Sequence, residues 1–292
     1  MKSCIAMHSY KGGTGKSTMG SNISALLTSR GYNVLLLDMD VYAPSLQTYF
    51  NENPERWIND FLFGSAEFED VVYDESHVID QFQFSNSKAK TRVGKFYVSF
   101  SNSSKDEIAK LDGAFRNDSS KIELLRKFIH IKENSESNKK VDYIIIDTSP
   151  GIRYWSINSL AIADLILLSL KMDAIDIEGT RKLVHEIYTT FRKLGVKSYL
   201  LLNRTAGYCH PNLFNDYNSN IKENYSKMLN EQSETITKLK KDLQMEIISS
   251  IPCYCDIQFD SREFMTVLKH PDHPFTFMMN KLVDEIENNA SV

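Results

Sequence analysis

The sequence lacks several features that would each have fixed a class. In 292 residues no apolar run approaches the ~20 needed to cross a bilayer, so a membrane-embedded chain is not expected. There are only four cysteines, Cys4, Cys209, Cys253 and Cys255. Such sparse cysteine does not make a disulfide framework in a chain of this length, and a reducing cytoplasm fits it best. Positive charge is not in excess: 34 Lys and Arg stand against 38 Asp and Glu, a net charge of −4. That balance argues against a protein that coats nucleic acid over its whole surface, while a local basic patch for non-specific DNA stays open. No stretch rich in proline and glycine divides the chain, and no internal repeat is visible. The amino terminus, "MKSCIAMHSYKGG", has a lysine and a short apolar run, but the run is too short for a signal peptide and reads as a first strand.

What is present is an ordinary globular composition, 42% hydrophobic and 25% charged, enough for a sizeable core. "CIAMHS" leads into a glycine loop. "TMGSNISALLTSRG" then places Met19, Ile23, Leu26 and Leu27 at helical spacing, with Gly31 as the stop, and "YNVLLLDMD" follows as a strand. The continuous apolar runs "VLLLD", "YIIID", "LILLSL" and "SYLLLN" are those of parallel strands covered on both faces. The fold class expected is α/β, a doubly wound and mostly parallel sheet with helices on both faces. One domain is expected over residues 1–292, with insertions around 51–139 and 211–244. The first insertion contains a strand, "KFYVSFS", and a helix beginning near "RNDSSKIELL". In the second, the charged stretch from Asn215 to Gln244 reads as an exposed helix or helix pair.

The chemistry is concentrated in "SYKGGTGKST", Ser9 to Thr18. A glycine-rich turn between a strand and a helix presents backbone N–H groups to an anion, and the helix adds the positive end of its dipole. Gly12, Gly13, Thr14, Gly15, Lys16, Ser17 and Thr18 are the expected phosphate binders. Lys16 would reach the β- and γ-phosphates, and the Ser17 hydroxyl would bind Mg²⁺. The strict pattern G-x-x-x-x-G-K-[ST] fails at its first position, which is Tyr10, and a second lysine, Lys11, follows it. Further along, "LLLDMDVYAPS" sets Asp38 and Asp40 at a strand end, where a carboxylate can position an attacking water. "VDYIIIDTSPG" leads an apolar strand into Asp147, a second carboxylate of the kind that holds Mg²⁺.

"KGGTGKST" resembles the deviant phosphate loop of the MinD/ParA family of ATPases, which includes the Mrp-type, arsenite and tail-anchored-protein ATPases. The resemblance extends in order to "DTSPG", similar to the family's second switch, to "LLLNRTAG", similar to its "NR" element, and to "SSIPCYCDI", similar to its "IP" element. It therefore covers most of the chain outside the insertions. It implies ATP and Mg²⁺ as cofactors, with hydrolysis to ADP and phosphate. Lys11 would be a signature lysine that reaches the phosphates of a second protomer. Asp40 would handle the water, and Asp38 would lie near the metal's outer shell beside Ser17 and Asp147. Asn203 and Arg204 would meet the adenine edge, with Pro252 and Cys253 flanking the base. The implied partners are a second copy of the chain on ATP binding and an unidentified protein partner or activator.

Within that family three functions are separable. One is a spatial organiser that positions or partitions a cargo. Another is a carrier or chaperone of metal clusters or client proteins. The third is a regulatory scaffold with little turnover. Asp38 to Ser45 have the D-x-D-x-x-x-P-S form of the Mrp-type cluster carriers, but Cys209 stands alone where those carry C-x₂-C, which argues against a bridging cluster. Cys253 and Cys255, with Cys209 and His210, make a weak zinc pattern. The terminal helix, "FTFMMNKLVDEIENN", has an acidic polar face, which argues against membrane targeting. Arg153, Tyr154 and Trp155, directly after the second switch, are either a partner surface or, for Trp155, core.

Overall fold

The structure is a computed structural model that describes residues 1–83, 93–114, 118–207, 219–259 and 265–290. The apolar runs become strands: β1 (Ser3–His8), β2 (Val34–Met39), β3 (Tyr73–Asp74), β4 (Phe96–Ser99), β5 (Tyr143–Thr148), β6 (Leu165–Lys171), β7 (Lys197–Thr205) and β8 (Ile247–Pro252). They form one eight-stranded sheet in the order β3-β4-β2-β5-β1-β6-β7-β8. Every pairing is parallel except β3 with β4. The expected mostly parallel, doubly wound α/β fold is therefore observed. β3, too short to leave a periodic signal, is the one antiparallel strand among the described residues.

The central strands carry side chains that face a core on both sides. Alternate residues of β5 divide between the two apolar layers, Ile144 and Ile146 into one and Ile145 into the other. Each such isoleucine, fully buried, contributes about 1.5–3 kcal/mol relative to an exposed one. Register then sets the chemistry. In the β2–β5 ladder Asp38 lies opposite Asp147, so two carboxylates share one end of the sheet. The chain leaves β1 toward β2 on one side of the sheet and reaches β6 on the other. That reversal makes the carboxyl end of β1 the topological switch point where open α/β sheets bind ligands.

The helix Lys16–Ser29 starts from Gly15, whose φ of 89° only glycine adopts without strain, and no side chain caps it. Its first turn has no acidic residue. The free N–H groups and the positive dipole end are thus left for an anion. The helix buries Met19, Ile23, Leu26 and Leu27, as their spacing predicts, and ends before Gly31 at φ 94°. Arg30 ties it to the last helix, Pro274–Ala290, through Asp284 (2.8 Å) and Glu287. That last helix buries Phe275, Met279, Leu282, Val283 and Ile286 and is a core element. Among the described residues no helix is long and apolar enough to cross a membrane.

Two alternatives left open by the sequence are decided. The charged stretch is not a helix pair: Ser219–Leu243 is a single 25-residue helix, anchored near its end by buried Leu239 and Leu243. Trp155 is not a surface residue. It is buried and packs edge-on against Phe128, at 5.6 Å between ring centroids, while its neighbour Tyr154 is exposed. Helical phase separates them: the helix Tyr154–Ala161 turns Trp155 inward.

Candidate functional site

The loop after β1 is held from several directions. The carbonyl of Thr14 accepts hydrogen bonds from Ser169 Oγ of β6 (3.0 Å) and Asn203 Nδ2 of β7 (2.8 Å). Lys16 is buried, and its Nζ donates to Ser9 Oγ at 3.1 Å. Tyr10, the residue that breaks the strict motif, lays its ring where the helix Ala174–Leu183 has Gly179. A Cβ at Gly179 would fall 1.9 Å from Tyr10 Cε1.

Around this loop lies a cleft of about 420 Å³, walled by Gly12, Gly13, Gly15, Lys16, Ser17 and Thr18 on one side. Asp40, Tyr42, Ser45, Ser149 and Arg153 face them. The structure thus brings the loop and Asp40, far apart in sequence, to one cleft. Asp40 Oδ1 accepts a hydrogen bond from Ser149 Oγ at 2.8 Å, which joins the segment after β2 to the segment after β5. Burial raises the proton affinity of Asp40, and the Ser149 hydrogen bond and the charge of Lys16 partly offset that.

Behind the wall sit Asp38 and Asp147. The Ser17 hydroxyl donates to Asp147 Oδ2. Asp147 Oδ1 is buried with no hydrogen-bond partner. Burial pushes the Asp147 carboxyl up to about 6, against the opposing charge of Lys16. Asp38 is raised as well, by burial first and then by the nearby charge of Asp147. Its two oxygens accept backbone N–H groups, of Asp40 (3.1 Å) and Leu46 (3.3 Å), so Asp38 shapes the turn that carries Asp40. An orphaned buried carboxylate oxygen beside a serine hydroxyl, with Asp40 in the adjoining wall, is an all-oxygen set. That is the donor type a hard divalent cation such as Mg²⁺ takes.

Lys11 is not part of the cleft wall of its own chain. It is partly exposed, its carbonyl accepts from Ser9 Oγ (2.6 Å), and its charge is felt by buried Asp176. At the other end of the loop a hollow of about 40 Å³ is lined by Gly15, Thr18, Asn203, Arg204, Pro252 and Tyr254, among others. Asn203 lines this hollow, and its amide is engaged: Oδ1 accepts from Arg204 N (2.9 Å) while Nδ2 holds Thr14. Pro252 lines the hollow and Cys253 does not. Tyr254, which sequence reasoning passed over, does. Ser149 and Tyr42 were also missed as individual residues, although both fall inside the quoted stretches "DTSPG" and "DMDVYAPS". Cys209 and His210 lie outside the described residues. Among the described residues no group of three or more His, Cys, Asp or Glu is placed to hold a metal.

His8, at the end of β1, was not singled out by its sequence. It is fully buried, with Nε2 3.0 Å from the carbonyl of Gly151 and Nδ1 2.8 Å from Tyr188 Oη. A carbonyl only accepts, so Nε2 carries the proton and Nδ1 accepts from the phenol. Burial lowers its pKa to about 4. Gly151 also donates its N–H to Ser9 O (2.8 Å), so the turn after β5 is pinned to the start of the phosphate loop.

A protein-family model, AAA_31, described as an AAA domain, matches residues 2–198, about two thirds of the chain, the loop and both acidic strands included. The chain belongs to the MinD/ParA family of P-loop ATPases. An iron-sulfur cluster carrier protein of Aquifex aeolicus is 50% identical over 56 residues, which is 19% of this chain and 15% of that protein. The next three curated relatives are spanned over 28, 41 and 51% of their own lengths. Among solved structures, the cell division ATPase MinD of Pyrococcus furiosus superposes with a TM-score of 0.68 at 22% identity, over 99% of both chains. The septum site-determining protein MinD of Pyrococcus horikoshii, in complex with Mg-ADP, gives 0.67 at 19% identity over 97% of this chain and 95% of that one. At these identities the likeness of this MinD/ParA-type chain to the two structures is one of fold.

Proposed function

We propose that the chain is an ATP-dependent switch that dimerises on binding ATP and Mg²⁺ and hydrolyses ATP slowly. One observation carries the reading. An uncapped helix N-terminus and Lys16 face, across a single cleft, an Asp40–Ser149 pair that unites the segments following two acidic strands. The N–H groups of Gly12 to Thr18 and the Lys16 ammonium bind the phosphates. Ser17 and Asp147 hold Mg²⁺, with Asp40 and Asp38 further out, and the metal supplies charge neutralisation on the triphosphate. Asp40 orients the water whose oxygen attacks the γ-phosphorus as the bond to the ADP oxygen breaks. Its raised proton affinity suits it to accept the water's proton. Lys11, outside its own cleft wall, is directed to the cleft of a second copy, where it stabilises the transferring phosphoryl group as an arginine finger does. The base lies toward Asn203, Arg204, Pro252 and Cys253, with Tyr254 beside them. The 40 Å³ hollow there is smaller than a purine, so the base rests across its mouth or displaces its walls.

Slow hydrolysis resets an assembly, and the cargo reading follows from it: a cytoplasmic organiser that positions or partitions a cargo, together with a protein activator, over non-specific DNA or another matrix. Light scattering on the purified chain with ATP and Mg²⁺, and on Asp40→Ala to hold the triphosphate, tests this directly. A dimer with ATP and a monomer with ADP are expected, and a monomer in both conditions overturns the reading. The local identity to an iron-sulfur carrier favours a second reading, a carrier ATPase. Iron bound stoichiometrically to the anaerobically purified chain would select it.

A further inference from the structure

We infer that Arg153 is the residue by which this cleft distinguishes a nucleoside triphosphate from a diphosphate. The inference rests on the nucleotide reading above and adds a residue to it. Arg153 follows Gly151 by two positions and starts the helix Tyr154–Ala161 in extended conformation, with φ −120° and ψ 145°. Its side chain lines the same cleft as Lys16, Asp40 and Ser149. The guanidinium carbon stands 4.1 Å from the centroid of the Tyr42 ring, which lines the cleft from the opposite segment. That contact uses the charge and the face of the guanidinium. Among the described residues the group makes no ion pair and no side-chain hydrogen bond. Its N–H donors, which suit a phosphate in pairs, are therefore uncommitted.

The surroundings leave this task to Arg153. Lys16 is buried against Ser9, deep in the loop, from where it reaches the β-phosphate that both nucleotides share as well as the γ-phosphate. Lys11 is outside the wall of its own cleft. Arg204 lines both this cleft and the base-end hollow, where it lies beside Asn203 and Pro252. Among the described cations of this chain that line the cleft, Arg153 belongs to the segment that carries Ser149, on the side where the terminal phosphate and the water must meet. Its backbone is fixed just upstream, because Gly151 is held by both Ser9 and His8. Tyr42 limits the side-chain orientations that must be given up on binding, which is preorganisation. A guanidinium bound to phosphate gains charge-assisted hydrogen bonds, and these exceed a partly exposed cation–π contact. The terminal phosphate therefore wins the side chain when it is present, and a diphosphate does not reach it.

Calorimetry with Mg²⁺ and either ADP or a non-hydrolysable ATP analogue tests this on the full chain. Arg153→Ala should weaken the triphosphate analogue by about 10- to 100-fold while ADP affinity stays within about twofold. Arg153→Lys should recover part of the loss, and Tyr42→Leu should cost the triphosphate only a few-fold. The same measurement in a Lys11→Ala background, where dimerisation is removed, should give the same selective loss. If the loss disappears in that background, the guanidinium serves the partner's cleft and the inference fails. It also fails if Arg153→Ala weakens both nucleotides equally or neither while the wild type binds both. A wild type that binds neither nucleotide overturns the nucleotide reading itself. Arg153 is exposed, so an unchanged melting temperature separates these outcomes from misfolding.

Discussion

At the phosphate end of the cleft the working side chains ride on or just beyond the tips of three neighbouring central strands, β1, β2 and β5. At the base end they come from β7, β8 and the turn that follows. The first group is fixed by the register of a fully buried ladder, with Asp38 opposite Asp147. The second is fixed by side-chain hydrogen bonds, Asn203 to Thr14 and to Arg204 N, over a ladder whose register shifts between Asn203 and Thr205. Charge is concentrated where the backbone is most constrained, because buried carboxylates need a scaffold that cannot relax to rehydrate them. The groups proposed to meet the base are ones that adjust at small cost.

Substitutions can break that contrast, and the phosphate end should give the largest effects. Lys16→Ala should weaken ATP by about 100-fold, whereas Lys11→Ala should keep ATP binding and lose the dimer and hydrolysis. Equal binding losses in calorimetry would show that the two lysines do not divide the work. Next comes Asp147→Asn. The wild-type carboxyl, at about 6, is raised from its ordinary value, so its ionised form is penalised in the fold. The asparagine variant in EDTA should be more stable at pH 7.5 by up to about 3 kcal/mol. That gain should fade as pH falls through 6 toward 4, where the wild-type group is protonated in the fold, and Mg²⁺ should no longer shift the melting temperature.

His8 titrates the other way. Its pKa is lowered to about 4, so between roughly 6.5 and 4 the unfolded chain takes up a proton that the folded chain refuses. The His8 contribution to stability is thus complete above about pH 6.5 and lost as pH falls through this window. The stability difference between wild type and His8→Gln should shrink by about 1.4 kcal/mol per pH unit there, and a flat difference in urea unfolding would contradict the buried neutral ring. The base end should respond least. Asn203→Ala should cost about 1–2 kcal/mol of stability and lower ATP affinity by no more than about tenfold. A loss as large as that of Lys16→Ala would erase the distinction between the two ends.

The sequence made the phosphate end legible because its signals are local. A glycine loop between a strand and a helix, and apolar runs that end in aspartate, report geometry over a few residues. Asp38 beside Asp147 was half legible, since the strands could be recognised but not their adjacency or register. The rest depends on contacts between distant segments. Nothing near Ser149 announces that it will meet Asp40, and nothing near Tyr42 announces Arg153. Tyr254 follows two residues that were quoted for the base, and only the fold shows it lining the hollow. The charged stretch left one helix or two open because its fully buried apolar anchors, Leu239 and Leu243, come near its end.

The meeting of Tyr10 and Gly179 has a consequence for anyone who redesigns or compares such chains. The two positions behave as one choice. A ring at the first admits no side chain at the second, not even a methyl group, so Gly179→Ala alone must expel the tyrosine and disturb the turn it anchors. Glycine at position 10 would release the other site to vary.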